Sequence, residues 1–400
     1  MRIWENQAIS TSKVIFGGNA SRQRHKTVRS RILSTLLALA AFIVAGCASQ
    51  PGTPYTLDAS PLAFVDQVGA KTADQRARFR EIVCAVNEES GRDFPGYRPC
   101  SEIVHFFYDE PPGSGEAVYL GAARSKLHIA VIAGLGSECF ADQIRPLQFA
   151  LGHLRSLGYR TSYIRVDGLS SSARNGQEIR DAVIDMGLGT ADERLILVGY
   201  SKGAPDIIEG LVAYPELQER VAAVITVAGA VGGSPLSNDA PEWMMSLLEY
   251  LPGSDCEEGD GRALESLRPA IRRQFLSTHS LPEGTGYYSL GTFAPREQIS
   301  TPLRDGYDEL SKIDPRNDGQ MIFYDQIVPG GALLGFVKSD HWAVGMPIAR
   351  QYPTLAPYVV DRNAFPREVV LEAAVRHVEE QLLTPPHVGT EDQISLKRQD

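Results

Sequence analysis

From Leu127 onward, apolar residues recur in two alternating rhythms. Four short runs, Leu127-His-Ile-Ala-Val-Ile132, Arg160-Thr-Ser-Tyr-Ile-Arg-Val166, Arg194-Leu-Ile-Leu-Val198 and Val221-Ala-Ala-Val-Ile-Thr-Val227, have the length and β-branched content of buried strands. Between them Asp142 to Leu157, Gln177 to Met186 and Gly203 to Val212 read as helices. Strands separated by helices predict an α/β chain with a mostly parallel central sheet and right-handed crossovers. The strand pattern resumes at Tyr287 to Gly291 and at Gly331 to Lys338. Pro366 to Leu383, with Val369, Val370, Ala373, Ala374 and Val375, reads as a closing helix.

The interval from about 237 to 286 is too long for a simple connection. It holds Trp243 to Leu251, the acidic stretch Asp255 to Asp260, and a helical-looking Ala263 to Phe275. We read it as a helical cap insertion, in which Trp243, Met244, Met245 and Leu248 either line an apolar site or form the core of the cap. Ala73 to Val86 also looks helical, and residues 59–126 are expected to be an N-terminal extension packed on an α/β domain spanning 127–383. A polar tail follows from Thr384.

Charge changes the picture at the N-terminus. Arg22, Arg24, Lys26, Arg29 and Arg31 precede an apolar stretch from Ile32 to Val44, which ends in Val44-Ala-Gly-Cys47. A basic region, a short apolar region and small residues at a cleavage point make a secretory signal, and the run is short for a membrane span. Val-Ala-Gly-Cys resembles the lipobox of bacterial lipoproteins, which implies cleavage after Gly46, acylation of Cys47 and export to a membrane surface. Residues 47–58 then read as a tether. Removing residues 1–46, with seven Lys/Arg and one Glu, takes the formal net charge from −10 to −16. That balance argues against a nucleic-acid partner, which needs a basic face.

With Cys47 lipidated, four of the five cysteines remain in an oxidising compartment. Cys84 and Cys100 are the expected first disulfide, since they are close in sequence and flank a Gly/Pro-containing loop. Cys139 and Cys256 pair by elimination. Nothing in the Cys and His spacing suggests a metal site, and we expect neither metal nor organic cofactor.

Candidate chemistry centres on Gly199-Tyr-Ser201-Lys-Gly203, which follows the strand at Arg194 and precedes a helix. Glycines on both sides of Ser201 permit a turn tight enough to push its hydroxyl beyond the sheet, as an attacking nucleophile requires. A serine hydroxyl needs a base within hydrogen-bond reach, oriented by an acid. Four histidines follow Ser201: His279 falls in the cap interval, His377 in the closing helix and His387 in the tail. His341, directly after a strand, is therefore the candidate base. Asp318, in the sharp turn Asn317-Asp-Gly319, is the candidate acid, with Asp314 and Asp325 as alternatives and Asp340 adjoining the histidine. The N–H groups of Lys202 and of Leu135, in Ala133-Gly-Leu-Gly-Ser137, are the candidate oxyanion donors.

These segments resemble α/β-hydrolases, and among them bacterial lipase-like serine esterases, over about Leu127 to Leu383. The resemblance rests on Gly199 to Gly203, Ala133 to Gly136, Gly232-Gly-Ser-Pro-Leu236, Asn317 to Gly319 and Asp340-His341. It implies hydrolysis of a small-molecule or lipid ester by a membrane-tethered enzyme. Acyl transfer on the same three residues is the alternative, and a non-catalytic envelope lipoprotein that kept the fold is another. Lipases of this type commonly carry histidine before the oxyanion glycine and before the serine, where this chain has Ala133 and Tyr200.

Overall fold

Seven strands form one parallel sheet in the computed structural model, which describes residues 72–136, 139, 145–190, 193–238, 240, 259–354 and 364–384. Cys47, Trp243, Met244, Met245, Leu248, Cys256 and His387 lie outside the described residues. The strands are β1 (Ala73–Asp74), β2 (Leu127–Ile132), β3 (Arg160–Ile164), β4 (Arg194–Tyr200), β5 (Val221–Val227), β6 (Gly286–Phe293) and β7 (Ala332–Lys338). Their order across the sheet is β1-β7-β6-β5-β4-β2-β3. The helices that position the site are α1 (Arg76–Glu89), α2 (Gln148–Ser156), α3 (Ser172–Asp185), α4 (Gly203–Ala213), α5 (Ala263–Ser266), α6 (Pro269–Thr278), α7 (His341–Gly345) and α8 (Arg367–Leu383).

Successive residues of a strand face opposite ways, so each apolar run feeds two cores. Ile129, Val131, Ile196, Val198, Ala223 and Ile225 pack with α1, α2 and α8 on one face. Ala130, Ile132, Leu195, Leu197 and Val224 pack with α3 and α4 on the other. Each fully buried Val, Leu or Ile contributes about 1.5–3 kcal/mol, which makes this central slab a rigid base for whatever its strand ends carry. The register pairs Ile132 with Gly199 and Tyr200 with Val227, aligning the carboxyl ends of β2, β4 and β5. A fold of this kind, with helices on both faces of a parallel sheet, is the α/β-hydrolase architecture expected from the sequence.

Several local expectations are corrected. Ala73 and Asp74 are not helical: they pair with Ala332 and Leu333, and the Asp74 carboxylate then accepts from the Arg76 backbone N–H and guanidinium where α1 starts. The sheet therefore reaches upstream of residue 127 and takes an edge strand from the segment read as an extension. α2 begins at Gln148 rather than Asp142, because Leu147 adopts φ 58° and gives its N–H to the Gly345 carbonyl. The helix read over Ala263 to Phe275 divides into α5 and α6. Arg268 is extended (ψ 131°) ahead of Pro269, as the clash with a proline ring demands.

From Arg367 to Glu379, α8 is buried on all sides, which its apolar residues alone did not foretell. Its charges are paired: Arg376 donates to Glu372, and Glu379 accepts from the Tyr159 hydroxyl and from the backbone N–H groups of Arg124 and Ser125. Cys84 and Cys100 are joined in a disulfide, with their Cα atoms 5.2 Å apart. Cys139 is also disulfide-bonded, while its expected partner Cys256 lies outside the described residues. No helix among the described residues is long and apolar enough to cross a membrane.

Candidate active site

At the end of β4 the chain turns so sharply that Ser201 takes φ 56°. The flanking glycines explain how. A Cβ on Gly199 would meet the backbone of Ala204 at 2.7 Å, and one on Gly203 would meet the Ile132 carbonyl oxygen at 2.4 Å. The turn is held by Ser201 N–H donating to the Val227 carbonyl, and by the Ala204 and Ala230 N–H groups donating to the Ser201 carbonyl. A left-handed conformation costs a non-glycine residue on the order of 1–3 kcal/mol, which the surrounding bonds must over-determine.

His341 opens α7 directly after β7, and its Nε2 lies 2.9 Å from Ser201 Oγ. Its Nδ1 lies 2.9 Å from Asp318 Oδ2, and its backbone N–H donates to the Asp318 carbonyl. Asp318 is fully buried. Four further donors surround its carboxylate: the Thr292 hydroxyl at 2.7 Å, Gln326 Nε2 at 3.4 Å, and the N–H groups of Gln320 (2.9 Å) and Met321 (2.8 Å). The Asn317-Asp-Gly turn makes this possible. Asn317 Oδ1 accepts from the Gly319 N–H, and Gly319 takes φ 89° where a Cβ would strike Leu303.

The other residues considered from the sequence lie elsewhere. Asp314 accepts from the Arg316 backbone. Asp325 faces Gly232, and burial pushes its carboxyl up to about 7 against the pull of Arg273. Asp340 caps α7 through the Ala343 N–H and accepts from Ser300, while burial still raises its pKa. His279 is exposed and stacks on Phe275; His377 is sealed in α8. Thr292 and Gln326 on the Asp318 carboxylate, and the Tyr200 hydroxyl donating to the His341 carbonyl, escaped sequence reasoning, because each meets a partner far along the chain.

Gly134 passes so close to the serine that a Cβ there would lie 2.6 Å from Ser201 Cβ. Among the described residues the backbone N–H groups of Leu135 and Lys202 donate to no acceptor. The Lys202 ammonium is turned into the core, 2.8 and 3.0 Å from the two Asp206 oxygens, and Asn175 donates to the same carboxylate. A cavity of about 350 Å³ opens over Ser201 and His341, with Leu135, Leu267, Met321, Trp342, Met346 and Ile348 among its walls. Its lining is mainly apolar, with Ser234 and Gln320 supplying polar edges. No cluster of three or more His, Cys, Asp or Glu among the described residues is arranged to hold a metal ion.

Among solved structures, the metagenomic carboxyl esterase MGS0156 is 38% identical to this chain. The match covers 82% of this chain and 97% of that one, with a TM-score of 0.74. Bacillus licheniformis lipase BlEst2 in mature form is 21% identical, covering 62% of this chain and 97% of its own, with a TM-score of 0.44. Staphylococcus hyicus lipase is 12% identical, covering 68% of this chain and all of its own, with a TM-score of 0.48. No protein-family model and no curated protein matches the chain.

Proposed function

This chain belongs to the same α/β-hydrolase family as the metagenomic carboxyl esterase, and we propose that it hydrolyses carboxylic esters through an acyl-enzyme on Ser201. Ser201 Oγ attacks the ester carbonyl carbon as His341 Nε2 takes its proton. The oxyanion of the tetrahedral intermediate is held by the N–H groups of Leu135 and Lys202. Collapse expels the alcohol, which takes the proton back from His341. Water then attacks the acyl-enzyme by the same route, releasing the carboxylic acid and restoring Ser201. Asp318 holds the Nδ1 proton of His341, so that Nε2 presents its lone pair to the serine. The apolar walls of the cavity take the acyl chain.

The observation that carries this reading is the unbroken relay from Ser201 Oγ to His341 to Asp318, 2.9 Å at each step, with the serine on a glycine-flanked turn at φ 56°. The N–H groups of Leu135 and Lys202, which donate to no acceptor among the described residues, support the oxyanion assignment. The same reading includes export and a lipid anchor at Cys47, supported by Val44-Ala-Gly-Cys47 and by cysteines held as disulfides.

The test is Ser201→Ala, assayed against p-nitrophenyl esters of graded acyl length and by labelling with a fluorophosphonate probe. Loss of both activities is expected. Turnover or labelling that survives the substitution overturns the assignment.

A further inference from the structure

We propose that Tyr200 is a positioning residue for the base: it clasps the helix that carries His341 and backs the imidazole with an aromatic face. The inference rests on the reading of Ser201, His341 and Asp318 given above. Tyr200 occupies the position before the nucleophile, where the lipases this chain resembles commonly have histidine.

Three contacts define the clasp. The Tyr200 hydroxyl donates to the His341 carbonyl oxygen at 2.8 Å. Its ring lies offset over the imidazole, with centroids 5.4 Å apart and planes 26° from parallel. The same ring presses on the far end of α7, where a Cβ on Gly345 would stand 2.5 Å from it. One side chain thus grips the first and last residues of the five-residue helix that delivers the base. Since Tyr200 is bonded to Ser201, the gap between nucleophile and base is set by a bridge one residue long, although the two stand 140 positions apart in the chain.

The chemistry of the phenol suits this task. Tyr200 is buried at 4% exposure, and burial raises its pKa well above the ordinary 10, so the hydroxyl stays a donor throughout the working pH range. During proton transfer the imidazole becomes a cation, and an aromatic face within about 6 Å stabilises a cation. The charged groups around His341 are Asp318 on Nδ1, Asp340 just before it in the chain, and the buried Arg367, which acts on both Asp340 and Tyr200. None of these belongs to the residue being changed. A shift on altering Tyr200 therefore reports the ring itself.

The experiment compares Tyr200→Phe and Tyr200→Leu in the full chain, with kcat and KM for a p-nitrophenyl ester, the rate of fluorophosphonate labelling and the pH profile of kcat/KM. Tyr200→Phe keeps the ring and loses one buried hydrogen bond. Its kcat and labelling rate should fall about tenfold at unchanged KM, with the acid limb unmoved. Tyr200→Leu also loses the aromatic face. Its kcat should fall further, and the acid limb should move to lower pH by roughly half a unit, because the imidazolium is less favoured.

Both variants within twofold of the parent overturn the proposal. So does a Tyr200→Leu enzyme that loses activity with its acid limb unmoved or raised, since that marks a core residue only. If Tyr200→Leu fails to fold, the kcat and KM of Tyr200→Phe decide alone. A parent enzyme that the probe does not label refutes the underlying serine assignment instead.

Discussion

Changing Asp318 to asparagine removes one oxygen from a site where every acceptor lobe is in use. In the native protein Oδ2 accepts from His341 Nδ1 and the Thr292 hydroxyl, while Oδ1 accepts from the N–H groups of Gln320 and Met321. Asparagine has one acceptor oxygen and one NH₂ group, and the residue is fully buried, so water cannot make up the difference. If the NH₂ faces Gln320 and Met321, three donors converge with no acceptor. If it faces His341, the hydroxyl of Thr292 can rotate to Gln326 Oε1, only the long 3.4 Å contact from Gln326 Nε2 is lost, and the backbone N–H groups keep their oxygen. The second arrangement wins, and it forces the proton of the imidazole onto Nε2, where it points at Ser201. The base then has no lone pair to offer the nucleophile.

We expect kcat to fall on the order of 10³–10⁴-fold, about 4–5.5 kcal/mol of transition-state stabilisation, with KM little changed. Stability should change far less, by about 1–3 kcal/mol, since one hydrogen-bond set is rearranged rather than abolished. The assay is steady-state hydrolysis of p-nitrophenyl butyrate beside a thermal melt of the same preparation. A folded Asp318→Asn enzyme within tenfold of the parent kcat would refute the argument that this carboxylate sets the tautomer.

Two further outcomes follow from other parts of the molecule. Cys47→Ala, expressed from the full chain, should move the protein from the membrane fraction to the soluble exported fraction; retention on the membrane rules out the lipid anchor. His377 has neither ring nitrogen hydrogen-bonded among the described residues, and burial holds its pKa down at about 4. The folded chain therefore leaves it neutral between pH 6.5 and 4, where the unfolded chain takes a proton. Stability contributed here is level above about pH 6.5 and is lost as pH falls through that window. His377→Leu should gain about 2 kcal/mol over the parent at pH 5 beyond any difference at pH 8, by urea denaturation at both values. An equal difference at the two pH values sinks the idea.

Much of this arrangement was legible in the sequence because it depends on local rules. The runs at Leu127, Arg194 and Val221 are too apolar to be anything but buried strands, and glycines at 199 and 203 mark where a backbone must approach another backbone. The structure brings Ser201, His341 and Asp318 into one hydrogen-bonded row; the glycine-flanked turn nominated the first, a place directly after a strand the second, and the Asn-Asp-Gly turn the third, with Asp314 and Asp325 left as alternatives. What could not be read depends on distant partners. Thr292 looks like any strand threonine until the turn at Asn317 folds against it. A two-residue strand such as Ala73–Asp74 has no period to detect, and a helical pattern at Asp142 does not reveal that Leu147 will be left-handed. The apolar residues of α8 announced a helix but not its buried charges, whose partners only the packed fold supplies.

The outer side of β7 shows a different kind of economy. Ala73 and Asp74 pair along its first residues, while Val104 bridges Val337 and the His105 N–H donates to the Phe336 carbonyl near its end. Two short pieces of one segment thus occupy a rim that would otherwise present bare amides to any passing strand, the usual seed of intermolecular sheet growth. The Cys84 to Cys100 bond staples those two pieces together between α1 and the turn before Ile103. Since β7 leads into the helix that opens with His341, the covalent staple guards against aggregation on the strand that leads to the base. A recombinant form begun at residue 127, or produced where that bond cannot form, gives up this protection before it gives up any residue of the site.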